Sequence, residues 1–251
     1  MRTISANAWK GYIDRLSALN RAAAKDMVKY IQTYGFMDID ALIDYAYGIA
    51  TKYGEGAAAL AAQMYDVTAE LSGQIFDPAV PAPTASYQQV AKTVQGVAKQ
   101  SQNENMMGNA IGRLVKQAGA DTTLRNALRD GAEFAWIPSG DTCAFCITLA
   151  SRGWQRASKG AIKNGHAEHI HSNCDCSYSV RFDSRTTVAG YDPDRYLAMY
   201  ENAEGSTPTQ KINAMRREFY AENKSEINAQ KRSAYAKRVE LNGSAAEEAD
   251  V

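Results

Sequence analysis

The sequence predicts a mainly α-helical protein that carries one small α+β module. Three observations support this fold class. Apolar residues recur at helical spacing over residues 1–133, short strand-like runs surround the cysteines, and helical spacing returns towards the C-terminus. The length of 251 residues and the apolar fraction of 45% suit a folded protein with a substantial core, and they exclude a disordered chain.

Composition restricts the expected partners and compartment. The 28 basic and 28 acidic side chains cancel, so the whole chain exerts no long-range attraction on DNA or on a membrane. No apolar run approaches the roughly 18 residues of a membrane span, and the chain opens without the apolar core of a signal peptide. We therefore expect a soluble protein with no membrane partner, made in a reducing cytoplasm, whose four cysteines are not a disulfide scaffold.

The N-terminal region, residues 1–77, is predicted to be a helical bundle. The first helix ends at Gly35, Asp38 caps a second helix that Gly54 ends, and a third helix runs over residues 56–76. Most amphipathic helices bury their apolar stripe in their own core, so we favour a bundle core over a partner-binding surface. The stripe of the first helix consists of Trp9, Ile13, Leu16, Ala23, Met27, Tyr30 and Tyr34.

Residues 78–133 are predicted to be a proline-rich connector followed by helices. Three of the six prolines fall within residues 77–83, which favours a stiff, extended segment. Helical spacing begins again at Tyr87 and at Met106. Asp121 is predicted to cap a separate short helix that ends near Gly131.

Residues 134–183 contain every cysteine and histidine of the chain. A strand-like aromatic run from Phe134 precedes a turn, a Cys-x-x-Cys motif and a short helix, and a second strand-like run begins at Ser177. Two residues between thiols allow both sulfurs to bind one ion from a tight loop, and a His-x-x-Cys-x-Cys motif follows. The predicted zinc ligands are Cys143, Cys146, His171, Cys174 and Cys176.

Spacing alone leaves the exact ligand set open. Four such side chains suffice for tetrahedral zinc, so either Cys174 or Cys176 is dispensable, and His169 can replace His171. The alternatives to a metal are four reduced thiols with surface histidines, or a disulfide within the Cys-x-x-Cys motif. We favour zinc because the spacings match those of known metal sites.

Catalytic interpretations compete with a structural zinc. His166-Ala167-Glu168 resembles the His-x-Glu of zinc deaminases, with Glu168 as the base, but those enzymes place it before a Pro-Cys-x-x-Cys. Here it follows the motif, and Thr142 occupies the proline position. A site closed by three or more thiolates leaves no position for water. A cysteine–histidine nucleophile pair has no evident orienting third residue. We therefore predict no enzymatic activity, with a zinc-dependent hydrolase or deaminase-like enzyme as the alternative.

Residues 184–251 are predicted to be a helical region that ends in an acidic tail. Asp192-Pro193 opens one helix, and a long polar helix covers residues 209–241. Residues 211–240 carry eight basic and four acidic side chains, a surplus that permits contact with DNA. We favour a solvated helix because the charges are mixed and no aromatic residues are interleaved. A nucleic-acid-binding zinc module is the second alternative function.

The segment from Pro138 to Gly153, with the sequence PSGDTCAFCITLASRG, resembles minor head proteins of tailed bacteriophages of the Mu F type. The similarity is strongest to versions from phages and prophages of Gram-positive, especially actinobacterial, hosts. In that family a Cys-x-x-Cys, a Leu-Ala-Ser-Arg-Gly segment and a downstream His-x-x-Cys-x-Cys close a metal-binding module. Here Ser172 and Asp175 replace the proline and arginine that are frequent in the downstream half.

The resemblance implies a minor capsid protein that acts in head morphogenesis, at the portal vertex or in the capsid interior. The implied partners are portal and capsid proteins, and the basic surplus of the C-terminal helix would also permit contact with DNA packaged in a head. The implied location is the virion, and the host cytoplasm during assembly. The predicted fold is thus a helical N-terminal bundle, a small zinc-stapled α+β module and a C-terminal helix.

Overall fold

The structure is a computed structural model that describes residues 2–139, 142–160, 175–226, 228–229 and 232–233. It is mainly helical with two small sheets, as predicted, and no helix in these ranges is long and apolar enough to cross a membrane. The helices are α1 (Ala6–Tyr34), α2 (Ile39–Ser72), α3 (Tyr87–Gln100), α4 (Glu104–Asp130), α5 (Ala144–Ala150), α6 (Pro193–Asn202) and α7 (Pro208–Glu222). The strands are β1 (Arg2–Ile4), β2 (Glu133–Ile137), β3 (Gln155–Arg156), β4 (Ser177–Arg181) and β5 (Thr186–Val188).

Helices α1 to α4 pack around one apolar core, to which both predicted N-terminal segments contribute. The start of α2 agrees with the prediction, since the Asp38 carboxylate accepts the backbone N–H of Ala41 at 2.9 Å. Gly35 ends α1 as predicted, and its N–H donates to the carbonyl of Ile31. Five of the predicted α1 stripe residues are buried, namely Trp9, Ile13, Leu16, Ala23 and Met27.

Two predicted helix boundaries are wrong. Helix α2 continues through Gly54, where a Cβ atom would lie 2.9 Å from Cγ2 of Thr84. Glycine at this position therefore does not end the helix. It leaves room for the proline-rich connector to pack closely against α2. Helix α4 continues through Asp121 and ends at Gly131, which has a φ of +64°. The neighbouring Thr122 lies within the helix, and its hydroxyl donates to the Ala118 carbonyl one turn earlier, at 2.8 Å.

The proline-rich connector lies on α2 and α4, which supply hydrogen-bond partners for its backbone. The Asp66 carboxylate accepts the N–H of Ala79 at 2.8 Å, and the Thr122 hydroxyl accepts the N–H of Ala82 at 2.9 Å. The amide of Asn126 pairs with both backbone groups of Val80, each at 2.9 Å. These bonds provide partners for backbone N–H and carbonyl groups of a segment that has no regular secondary structure of its own.

Glycines on α4 allow its backbone to approach α1 and α2 closely. A Cβ atom at Gly108 would lie 2.7 Å from the Ala24 carbonyl oxygen of α1. The corresponding distance from Gly119 to the Ala57 carbonyl oxygen of α2 is 3.2 Å. Helix α4 is therefore seated between two neighbouring backbones at positions where a larger side chain does not fit.

The two sheets connect the bundle to the later part of the chain. Strand β2 pairs antiparallel with β3 and β4, and Ile137 lies opposite Ser177. Strand β1 pairs in parallel with β5. The guanidinium of Arg2 donates to the Ser72 carbonyl of α2 and lies 3.6 Å from the Asp183 carboxylate. The first residues of the chain thus hold the end of α2 beside the region that follows β4.

Substituting Gly108 tests the close approach of α1 and α4. We expect Gly108→Ala to lower the free energy of unfolding by about 1–3 kcal/mol, because the methyl group meets a backbone oxygen. Gly96→Ala in α3 is the matched control, since a Cβ there meets no atom within 4 Å. That variant gains up to about 1 kcal/mol of helix propensity. Chemical denaturation measures both changes, and a Gly108→Ala variant as stable as Gly96→Ala would contradict the packing.

Candidate metal centre

The three described cysteines lie in or against one apolar cluster at the junction of the small sheet and α5. Cys143 precedes α5 and Cys146 lies in its first turn, while Cys176 directly precedes β4. Cys146 and Cys176 are both 1% exposed and belong to this cluster, against which Cys143 packs half-buried. The fold therefore brings Cys176, the described member of the second motif, to the region of Cys143 and Cys146, about thirty residues earlier in sequence.

The position of Cys176 follows from the pairing of β2 with β4. Because Ile137 lies opposite Ser177, the chain that leaves β2 passes directly over the residue before Ser177. There the backbone N–H of Ser139 points at the Cys176 Sγ, with a nitrogen–sulfur distance of 3.4 Å. A hydrogen bond of this kind stabilises negative charge on sulfur, which is the form that binds a metal.

Helix α1 holds the turn that carries Cys176. The Ser17 hydroxyl donates to the carboxylate of Asp175, the residue before the cysteine. The Tyr12 hydroxyl interacts with Ser177, the residue after it, and with Thr123 of α4. Burial raises the pKa of Tyr12 from its ordinary value of 10.0 to about 12, and these two side-chain hydrogen bonds oppose that rise.

Aromatic rings form one wall of the cluster. The Tyr178 ring meets the Trp136 ring edge-on at a centroid distance of 4.7 Å, and it meets the Phe134 ring at 5.7 Å. All three side chains are at most 3% exposed. Burial raises the pKa of Tyr178 well above its usual range. Dry surroundings of this kind strengthen bonds between a metal and charged ligands, and they suit a site closed to water.

The remaining predicted site residues lie outside the described ranges. These are His171 and Cys174, the substitute ligand His169, and Glu168, the base of the catalytic alternative. No group of three or more His, Cys, Asp or Glu side chains in the described part of the chain has the arrangement of a metal site. No disulfide joins any two of Cys143, Cys146 and Cys176. The zinc site with its full ligand set therefore stays a prediction.

The anchoring residues on α1 are not foreseen by the sequence. Ser17 and Asp175 are 158 positions apart, and the cysteine motif that contains Asp175 gives no indication of a partner on α1. Tyr12 is adjacent to the predicted apolar stripe and is 3% exposed. A buried tyrosine needs a partner for its hydroxyl, but the pattern of α1 does not say which one.

Comparison with known proteins identifies the family. The family model described as VG15 protein matches residues 3–203, which is most of the chain. This chain belongs to the VG15 protein family. No curated protein and no solved structure matches it. Membership of VG15 supports an origin in a bacteriophage gene, which is the coarser part of the expectation from the Mu F resemblance.

The VG15 match includes the bundle, the small sheet, α5 and α6. It ends at Ala203, one residue after α6, so α7 lies beyond it. The cysteine-bearing region and its anchors on α1 both fall within the matched range. The candidate centre therefore lies within the matched range, whereas α7 and the basic segment after it lie outside that range.

Tyr12→Phe tests the attachment of α1 to the cysteine-bearing turn. We expect a loss of about 1–2 kcal/mol at neutral pH, because the hydroxyls of Ser177 and Thr123 lose a buried partner. The folded pKa of Tyr12 lies above the unfolded value, so its contribution is present below pH 10 and is lost as the pH rises towards 12.

The free energy of unfolding of Tyr12→Phe should therefore fall less steeply than that of the unchanged protein between those two pH values. Ser177→Ala is the control, since it removes one partner of the hydroxyl and keeps the titrating phenol. Denaturation series at several pH values measure the slopes. Identical slopes for Tyr12→Phe and the unchanged protein would show that Tyr12 ionises as readily in the folded state as in the unfolded one.

Proposed function

We propose that this VG15 protein is a minor capsid protein that acts structurally in phage head morphogenesis, at the portal vertex or in the capsid interior. Family membership over residues 3–203 carries the proposal, because it supports a phage gene and spans the segment that resembles Mu F-type head proteins. The proposed location is the virion, and the host cytoplasm during assembly. The proposed partners are portal and capsid proteins.

The packing of the resembling segment favours a structural role. Five of the seven residues of α5 are buried, and the segment ends at Gly153, which has a φ of +62° and is followed by β3. A Cβ at Gly153 would lie 3.5 Å from Pro193, the first residue of α6. Residues of the segment from Pro138 to Gly153 thus pack α5 against its surroundings and lie against α6, as expected of a structural role.

We propose that a zinc ion completes this module. The described thiols fit such an ion, because Cys146 and Cys176 are buried in one cluster and Cys176 accepts a backbone N–H bond. Cys143, Cys146 and His171 would hold the ion together with either Cys174 or Cys176. Bound zinc supplies tetrahedral cross-linking of segments that bury little apolar surface by themselves, and such sites contribute several kcal/mol or more to folding.

Removal of a ligand tests the zinc proposal. We expect the purified protein to contain one zinc per chain, and Cys143→Ser to lose both the metal and several kcal/mol of stability. Leu149→Ala is the matched control, since Leu149 is buried in the same cluster but has no metal-binding group. It should lose about 2–4 kcal/mol and keep its zinc. Elemental analysis and thermal unfolding separate the two effects, and a fully folded protein without metal would contradict the proposal.

Particle composition tests the head-protein proposal. We expect mass spectrometry of purified phage particles to find this protein at a few copies, far below the major capsid protein. A nonsense mutation in its gene should reduce the yield of normal heads, and the gene supplied in trans should restore it. Two results together would contradict a structural role. The protein would be absent from full particles and from assembling heads, and the nonsense mutant would yield normal particles.

A further inference from the structure

A groove with a volume of about 300 Å³ opens between α5, α6 and α7. Ile147 of α5, Ala203 after α6 and Met215 of α7 form its buried floor. Met199 and Phe219 line its open end and are 42% and 43% exposed. Thr142 and Ala144, which flank Cys143, also line the groove, so its α5 wall begins beside the candidate metal centre.

The apolar stripe of α7 extends beyond the part that the protein itself covers. Met215 is 6% exposed, whereas Phe219, one turn later on the same face, is 43% exposed. No residue of α6, on the opposite wall, is classed as buried. Adjacent exposed apolar side chains on two neighbouring helices are typical of a surface that receives a partner.

The charge of the groove indicates which kind of partner would bind it. Its ionisable lining residues are Glu218 and Glu222, which are one turn apart on the same face of α7. Neither carboxylate forms an ion pair with another described residue. The groove therefore combines an apolar floor with an acidic rim, and it suits a segment that presents apolar side chains next to lysine or arginine.

Such a segment occurs in this chain shortly after α7. Residues 224–241 carry five basic side chains and two acidic ones. Ile227, Tyr235 and Val239 are separated by eight and four positions, so a helix would present them on one face with Lys231 between them. This arrangement of apolar and basic groups complements the floor and the rim of the groove.

The backbone geometry at the end of α7 favours a second copy of the chain as the source of the segment that binds the groove. Only Asn223 separates Glu222, at the end of α7, from the next helical residues, 224–226. Its φ of −104° and ψ of 13° do not reverse the chain within that single residue. A segment that leaves α7 in this way does not return at once to the face it has just left, whereas the same segment of another molecule can approach freely.

We propose that the basic segment 224–241 of one molecule binds the acidic, apolar groove between α5, α6 and α7 of a second copy. The α5 and α6 walls of the groove lie within the family match, whereas the α7 wall and the segment lie beyond residue 203. A head-to-tail contact of this kind closes into a ring or continues as an open chain. It is self-association, and it does not depend on the proposed role in the phage head.

A synthetic peptide of residues 224–241 provides the first test. We expect it to bind the full-length protein, as measured by fluorescence anisotropy, and to bind the Glu218→Lys/Glu222→Lys variant roughly tenfold more weakly. The variant Glu55→Lys/Glu70→Lys is the matched control, because it makes the same charge change at exposed positions on α2. Equal affinity for both variants would overturn the proposal, as would a peptide that binds duplex DNA but not the protein.

A charge exchange provides the second test. Sedimentation velocity should show concentration-dependent oligomers of the unchanged protein and of the α2 control. Glu218→Lys/Glu222→Lys and Lys231→Glu/Arg232→Glu should each be monomeric alone, since groove and segment then carry the same charge. Mixing these two variants restores both complementary contacts, so oligomers should reappear. A monomeric unchanged protein, or a mixture that stays monomeric, would overturn the proposal without bearing on the head-protein role.

Discussion

The close seating of α4 against the backbones of α1 and α2 is the constraint on which the rest of the structure depends. Gly108 and Gly112 bring α4 up to the carbonyl oxygens of α1, and Gly119 does the same for α2. A contact made through backbone atoms has little freedom to slide or rotate. The register of α1 along α4 is thereby fixed, and so is the position of Tyr12 and Ser17 relative to the cysteine-bearing turn.

This register connects the bundle to the small module. The groups that hold the turn around Cys176 come from α1 and α4, while the sheet positions the same turn from the other side. A module with two-, three- and five-residue strands and one seven-residue helix buries too little surface to define itself. Its attachment to the bundle holds this small unit in place, and the proposed metal cross-link would hold it further.

Local signals predict the parts of the fold that local interactions determine. Asp38 and Asp192 are both helix caps, as the sequence indicates, and the aromatic run from Phe134 is a strand. Gly54 shows the limit of such signals, because its role is set by Thr84, thirty positions away. The parallel pairing of β1 with β5 joins the two ends of the family-matched range, and no local pattern in either strand specifies the other.

The sequence likewise predicts only part of the candidate metal centre. Motif spacing identifies the cysteines, and the fold places Cys146 and Cys176 in one buried cluster with Cys143 against it. The hydrogen bonds that position Cys176 come from Ser139 and from α1, and they follow from tertiary packing that spacing does not encode.

X-ray absorption at the zinc edge tests the proposal that a closed structural metal joins the two cysteine motifs. We expect a four-coordinate ion with at least three sulfur ligands at about 2.3 Å and no bound water. A shell dominated by oxygen and nitrogen with an open position would contradict it and would favour catalysis.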